Sequence, residues 1–159
     1  MTTAPGRPAT PHPATPHPAS LRPASSLGYQ VNALARLFEA ALRERIAGYG
    51  VVPGQFPALL ALYESDGQTQ RELCEIAGVD QSTMAKTLTR MRRDGLIREE
   101  PDATDGRRVR YYLTPAARDL ESRLAAAGYE VIAAATRGIP ANRLDTFGRV
   151  LADMTANLA

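Results

Sequence analysis

The fold of this chain is decided by residues 81–118, which read QSTMAKTLTRMRRDGLIREEPDATDGRRVRYYLTPAAR. The stretch begins as an amphipathic helix in which Met84, Leu88 and Met91 recur at helical spacing on one face. Gly95 then supplies the residue type that commonly ends a helix. These features predict a helix with one buried face and one polar face.

A two-stranded hairpin is predicted directly after this helix. Short strands are expected over 96–100 and 109–113, where the hydrophobic period changes from helical to alternating. Pro101-Asp102 and Asp105-Gly106 provide turn residues between the two strands.

Three further helices are predicted ahead of residue 81. The first occupies 27–50, and the second begins at Pro53 and ends at Asp66-Gly67. The third begins at Thr69, which has capping-box spacing to Glu72, and Asp80 caps the helix after it. Short helices followed by a two-stranded hairpin predict a winged helix-turn-helix. In this fold the second helix of the helix-turn-helix pair, here the one that begins at residue 81, enters the DNA major groove.

Two long helices are predicted after the hairpin, over 114–138 and 140–159. The last carries a seam spaced like a coiled coil, formed by Leu144, Phe147, Leu151, Met154 and Leu158. We therefore predict a mostly α fold with a small β-wing, a winged helix-turn-helix domain plus a helical dimerisation region. The predicted divisions are a disordered tail rich in Pro, Ala and Thr (1–26), a first dimerisation helix (27–50), the DNA-binding domain (51–113) and C-terminal dimerisation helices (114–159).

The sequence gives little support to an enzyme. Both histidines, His12 and His17, fall in the tail, where two ligands on a flexible segment make a poor metal site. We find no Gly-rich phosphate loop and no nucleophile-base pairing, and we expect no metal or cofactor. The single cysteine, Cys74, is expected to be buried and structural. No apolar stretch reaches the roughly 20 residues of a membrane span, so we expect a cytoplasmic protein without a membrane partner.

Double-stranded DNA is the partner that the charge pattern favours. The helix that begins at residue 81 presents polar side chains able to contact base edges or phosphates. These predicted DNA-binding residues are Gln81, Ser82, Thr83, Lys86, Thr87 and Arg90.

The hairpin tip carries a second predicted contact, because Arg107, Arg108 and Arg110 follow a tight turn and can reach the neighbouring minor groove. Asp105 is expected to brace Arg107 by a charge-assisted hydrogen bond. Such a tip favours DNA binding over the main alternative, a winged-helix protein-interaction module without sequence-specific DNA binding, because an interaction module does not need it.

The run over residues 81–118 resembles the MarR (multiple antibiotic resistance regulator) family, and the resemblance extends over nearly the whole chain after residue 27. It implies that Asp105 and Arg107 form the wing pair and that the helices over 27–50, 114–138 and 140–159 build a homodimer interface. It also implies an acidic or phenolic small-molecule effector. The departures from the family pattern are Val52 and Ala117, which concern caps and turns.

The sequence-based hypothesis is therefore a dimeric transcriptional regulator, a repressor, on a pseudo-palindromic operator and released by an effector. Asn32 and Arg36 lie one helical turn apart and are candidate ligands for an effector carboxylate near Phe56 or Tyr63. More often such residues only cap or bridge helices. A DNA-binding protein without any effector stays an open alternative.

Overall fold

The computed structural model describes residues 26–158, so the predicted tail, apart from Ser26, lies outside the described residues together with both histidines. The described part of the chain divides after residue 35 into two compact units. Helix α1 comprises Leu27–Ile46 and continues into a 3₁₀ turn at Ala47–Tyr49.

The winged part follows in one continuous run. A 3₁₀ turn at Pro53–Gln55 leads into helix α2 (Phe56–Glu64). Its remaining elements are β1 (Gln68–Thr69), α3 (Gln70–Ala77), α4 (Gln81–Arg93), β2 (Ile97–Pro101) and β3 (Val109–Leu113). The predicted order of helices and hairpin is confirmed, with the first strand shifted one residue from the predicted 96–100.

Strand β1 is an element that the sequence did not predict. It makes the two-stranded wing a three-stranded antiparallel sheet in the order β1-β3-β2. Gln68 lies opposite Tyr111, and its side-chain amide donates to the carbonyl oxygens of Ala61 at 2.7 Å and Ser65 at 2.9 Å. Two residues are too few to show an alternating pattern, so only the pairing with β3 defines this strand.

Side-chain caps fix where the helices begin. Thr69 and Glu72 form the predicted capping box, with the Thr69 N–H donating to Glu72 Oε2 at 2.7 Å. Thr114 accepts from the Ala117 N–H at 3.2 Å and donates its hydroxyl proton to the Gly95 carbonyl at 2.7 Å. The second bond ties the start of the next helix to the end of α4.

A single apolar core joins α2, α3, α4 and the sheet. The predicted buried face of α4 is confirmed, because Met84, Leu88 and Met91 are each at most 2% exposed. The other large side chains of this core include Leu59, Leu62, Leu73, Leu96, Ile97 and Leu113. Burying them orients the opposite face of α4 outward.

The C-terminal region differs from the prediction in one respect. The helix predicted over 114–138 is two helices, α5 (Pro115–Asp119) and α6 (Glu121–Thr136), followed by α7 (Ala141–Leu158). At the break, the Ala117 carbonyl accepts both the Leu120 N–H and the Tyr63 hydroxyl, which tightens the turn. No Pro or Gly marks this position, so the sequence carries no signal for it.

Within residues 26–158, no single helix is both long and apolar enough to cross a bilayer. Two consecutive helical segments, 27–49 and 53–64, pass that test only as a bent pair, on length and composition alone.

Candidate nucleic-acid interface

The outward face of α4 carries the predicted reading residues at the surface. Five of the six are exposed, and Thr87 is half-buried. Lys86 and Arg90 lie one turn apart in the middle of this face, where i and i+4 side chains are neighbours. The helix therefore presents a polar strip with two cationic groups.

The N-terminus of α4 is organised by Asp80. Its Oδ1 accepts the Thr83 N–H at 2.9 Å and the Ser82 hydroxyl at 2.7 Å, while Oδ2 accepts the Thr83 hydroxyl at 2.7 Å. These hydrogen bonds, led by the Thr83 hydroxyl, lower the pKa of Asp80 well below its ordinary value. Ser82 and Thr83 thus donate their hydroxyl protons within the cap, so toward any other partner these hydroxyl oxygens can only accept.

Helix α3 contributes a polar group that sequence reasoning missed. The Gln70 side-chain amide donates to Gln81 at both its carbonyl oxygen, 3.1 Å, and its Oε1, 2.8 Å. Both N–H groups of the Gln70 amide are used in these two bonds, and because Gln81 accepts through its Oε1, Gln81 can still donate through its own side-chain NH₂. The capping box at Thr69 was the available signal, because it places Gln70 at the start of α3.

Ion pairing divides the basic residues of 86–110 into two groups. Each of the five acids in this segment lies within ion-pair distance of one arginine. The pairs are Arg92–Glu99, Arg93–Asp94, Arg98–Glu100, Arg108–Asp105 and Arg110–Asp102. In the described structure, Lys86, Arg90 and Arg107 have no carboxylate within that distance, and these three lie on the α4 face and at the wing tip.

The wing tip corrects the expectation for Asp105. Its Oδ1 accepts the backbone N–H of Arg107 at 3.1 Å, and its Oδ2 lies 3.2 Å from Nε of Arg108. The predicted bond to the Arg107 guanidinium is not formed, because an aspartate most readily closes an Asx turn on the N–H two residues ahead. Asp105 therefore orients the backbone of Arg107, and the Arg107 residue itself is exposed.

The structure gives Arg110 hydrogen-bond partners that the sequence did not predict, and its contact with DNA stays a prediction. Its guanidinium donates through Nε to Asp102 and through Nη1 to the Gly67 carbonyl oxygen at 2.7 Å. Asp102 is 5% exposed and also accepts from Thr104, through its N–H at 2.7 Å and its hydroxyl at 2.6 Å. Arg110 thus binds the base of the wing to the turn before β1, a bracing position that the sequence did not indicate.

Asp66, in that same turn, is a second anchor of the sheet. Its Oδ1 accepts the Leu113 N–H at 2.9 Å, and its Oδ2 pairs with the Arg118 guanidinium. The two aspartates thereby attach both ends of β3, at Arg110 and Leu113, to neighbouring turns.

The predicted effector residues occupy different surroundings. Phe56 lines a cavity between α1, α2 and α6, whereas Arg36 and Tyr63 do not line it. The Tyr63 hydroxyl donates to the Ala117 carbonyl at 2.6 Å, and burial, with a smaller contribution from Glu121, raises the pKa of Tyr63 to about 12. Asn32 donates to the Gly28 carbonyl of its own helix at 2.9 Å. Their assignment to an effector stays a prediction.

Cys74 is buried and unpaired with any other cysteine, as expected for a structural residue. Burial is the first cause of its raised pKa, with Asp80 and Glu75 contributing. A raised pKa keeps the thiol protonated and unreactive at neutral pH.

Three helices, a braced hairpin and a cationic outer edge define a winged helix-turn-helix protein. A model of the MarR family matches residues 49–108. A solved MarR-family transcriptional regulator from Silicibacter pomeroyi is 30% identical with a TM-score of 0.71, and the match covers 89% of this chain and 95% of that one. The chain belongs to the MarR family, so the resemblance drawn from residues 81–118 is confirmed.

Two other proteins similar to this chain bear on its function. HTH-type transcriptional regulator TtmR from Methylorubrum extorquens (strain PA1) is 30% identical over 100 residues, 63% of this chain, and the match spans about half of that relative, 51%. A putative MarR-family regulator from Listeria monocytogenes, solved in complex with 26mer DNA, has a TM-score of 0.77 over 84% of this chain and 89% of that one. At 17% identity, this second similarity is one of fold.

Proposed function

We propose that this protein is a sequence-specific double-stranded DNA-binding transcriptional regulator that represses as a homodimer. Its α4 helices read two half-sites of a pseudo-palindromic operator, and the wing tips reach the flanking minor grooves. Binding of a small molecule releases the operator by changing the spacing of the two α4 helices.

The observation that carries the proposal is the distribution of unpaired cations. The acids of 86–110 neutralise five arginines and leave Lys86, Arg90 and Arg107 without a carboxylate partner. An ordinary solvated surface gives no reason for these three to share the reading helix and the wing tip. Phosphates and base edges supply the partners that the three cations lack.

Each cation has a distinct expected role. Arg90 lies far enough along α4 to meet a guanine edge, and Arg107 projects from the hairpin toward a narrow A·T-rich groove. Arg108 and Arg110 are held by carboxylates, so we assign Arg110 to bracing and Arg108 to the phosphate backbone.

Dimerisation is supported by the apolar surface of α7. None of its residues is buried, although Phe147 and Val150 are large and each 48% exposed. A second copy of the chain would cover this surface, and two reading helices would then address two half-sites together.

The deciding experiment is selection of bound sequences from a random double-stranded DNA pool at two salt concentrations. Specific binding should enrich an inverted repeat at both, whereas phosphate contacts alone give sequence-blind binding that falls steeply with salt. No enrichment at either salt would contradict the proposal and favour the protein-interaction module.

Variants sharpen this test because α4 contains a matched arginine. Arg90→Ala should weaken binding to the selected repeat by roughly tenfold or more and relax the preference at one base pair of each half-site. Arg92→Ala removes an arginine already paired with Glu99 and should change affinity much less. Arg107→Ala should weaken binding mainly on repeats with A·T-rich flanks. Equal effects of Arg90→Ala and Arg92→Ala would contradict the assignment of the reading face.

A further inference from the structure

Gln70 and Gln81 form a side-chain pair at the start of two consecutive helices. Gln70 is the first residue of α3, and Gln81 is the first residue of α4. Both residues line one cleft between α3 and the wing, which Arg108 also lines. Gln81 is exposed, whereas Gln70 is half-buried. The pair therefore lies on the side of the proposed DNA surface, with Gln81 as its more accessible member.

The hydrogen bonds of this pair allow only one orientation for each side-chain amide. Nε2 of Gln70 donates to the backbone carbonyl of Gln81 at 3.1 Å, and a backbone carbonyl oxygen can only accept. The same nitrogen lies 2.8 Å from the Gln81 side chain, so the atom facing it there must be the acceptor, Oε1. Exchanging the oxygen and nitrogen of either amide would set two donors or two acceptors against each other.

Caps on both helices restrict the backbone at each residue of the pair. The N–H and hydroxyl of Thr69, directly before Gln70, donate to Glu72 Oε2 at 2.7 and 2.8 Å. Asp80, directly before Gln81, caps α4. The Gln81 amide is thus oriented without DNA, and a side chain that is already oriented loses less rotational freedom on binding.

An oriented amide changes which base a glutamine reads. A glutamine with a free amide suits adenine, because its oxygen accepts from N6 and its NH₂ donates to N7. Here Oε1 of Gln81 already accepts from Gln70, so an adenine amino group would have to share that oxygen with the Gln70 NH₂. The Gln81 NH₂, in contrast, donates to no residue of the described chain.

The base that best fits a free NH₂ group is guanine. Its major-groove edge presents two acceptors, N7 and O6, whereas thymine presents one acceptor beside a methyl group. We propose that Gln70 determines base specificity by holding Oε1 of Gln81, which leaves Gln81 as a donor in the major groove and directs it to guanine instead of adenine. This inference rests on the proposed DNA-binding function and names the base that one residue of the reading face contacts.

The selected inverted repeat tests the base assignment. Gln81→Ala identifies the base pair that Gln81 contacts, because the preference at that position should disappear. The parent should carry guanine there and favour it over adenine about tenfold. Replacing that guanine by 7-deazaguanine, which lacks the N7 acceptor, should weaken binding of the parent several-fold and leave binding of Gln81→Ala unchanged. Adenine or thymine at that position, or equal effects of 7-deazaguanine on both proteins, would overturn the assignment.

Variants of Gln70 test its positioning role. Gln70→Ala frees the Gln81 amide and should reduce the preference for guanine over adenine several-fold at that base pair alone. Gln70→Glu offers only acceptors, so the Gln81 NH₂ should turn toward it and Oε1 should face the DNA. The preference should then move toward the bases with an amino group, adenine and cytosine. Arg71→Ala, the control on the next residue of α3, removes a side chain paired with Glu75 and should leave every base preference unchanged.

Preferences are compared within each protein, so a uniform loss of affinity from the added charge of Gln70→Glu does not affect the result. If an inverted repeat is enriched and both Gln70 variants keep the base preferences of the parent, the role of Gln70 is wrong and the DNA-binding regulator stands. If the parent enriches no sequence, the proposed function is wrong and the assignment of guanine is overturned with it.

Discussion

Asp102 is the side chain that shows most clearly how one residue can fix a DNA-binding element. It is buried at the base of the wing and accepts hydrogen bonds from Thr104, from the Asp105 N–H at 3.1 Å and from Arg110. None of these donors touches DNA in the proposed mode, yet together they set the path of the chain that leads to Arg107. Positions of this kind are visible only in three dimensions.

The ionised form of Asp102 should contribute to stability, and Asp102→Asn should lower the free energy of unfolding at neutral pH. Hydrogen bonds from Thr104, followed by the one from Arg110, hold the pKa of Asp102 well below its ordinary value. A lowered folded-state pKa gives stability above the unfolded value of about 3.9, and this stability is lost as the pH falls through the folded value. The difference between parent and variant should therefore be constant near neutrality and narrow below about pH 4.

Urea unfolding at pH 7, 4.5 and 3 measures this difference. Asp105→Asn is the matched control, because it makes the same chemical change at a more exposed carboxylate of the same hairpin, and it should show a smaller loss at pH 7. A parent–variant difference that does not depend on pH would show that the charge of Asp102 is not what stabilises the wing base.

At the scale of elements, the sequence predicted what its own periodicity encodes. The buried face of α4 follows from Met84, Leu88 and Met91, and the cap at Thr69 follows from its spacing to Glu72. The break at Leu120 and strand β1 depend on distant partners, Tyr63 and Tyr111 respectively, which no local pattern reveals. The same applies to the site, where residue types were predictable and the partners of Asp105 and Arg110 were not.

The turn between α2 and β1 offers a prediction about element geometry. Gly67 has φ +79°, and a Cβ added there would lie 2.6 Å from Cε1 of Tyr112. Gly78, at the end of α3, has φ +64° with nothing within 4 Å of an added Cβ. Gly78→Ala should cost about 1 kcal/mol for the left-handed backbone alone, and Gly67→Ala at least about 2 kcal/mol because the ring must also move.

Urea unfolding of both variants measures these losses, and Tyr112→Ala provides the control. In the absence of the ring, the costs of the two glycine substitutions should become similar. If Gly67→Ala and Gly78→Ala lower the free energy of unfolding equally with the ring present, Tyr112 moves aside freely. Contact with the Tyr112 ring of β3 would then not require glycine at position 67.

At the scale of the whole molecule, α7 has an apolar seam that one chain does not bury. The seam was predictable from the spacing of Leu144, Phe147 and Leu151. What covers the seam was not predictable, because no residue of α7 is buried within the described chain. In the proposed dimer, the partner's copy of the same region covers it. The strength of operator binding then depends on contacts far from any base.

Phe147→Glu should separate dimerisation from DNA contact, because a buried carboxylate in the seam opposes association of two chains while α4 and the wing remain intact. Sedimentation equilibrium should give a mass near 17.1 kDa for the variant and twice that for the parent. Affinity for the full inverted repeat should fall about 100-fold or more, whereas affinity for an isolated half-site should hardly change, since only simultaneous engagement of two half-sites is lost. Ala152→Glu adds the same charge at an exposed position away from the seam and should remain dimeric. A monomeric Phe147→Glu variant that still bound the full repeat like the parent would mean that a single winged domain supplies the affinity, and the two-site mechanism would have to be abandoned.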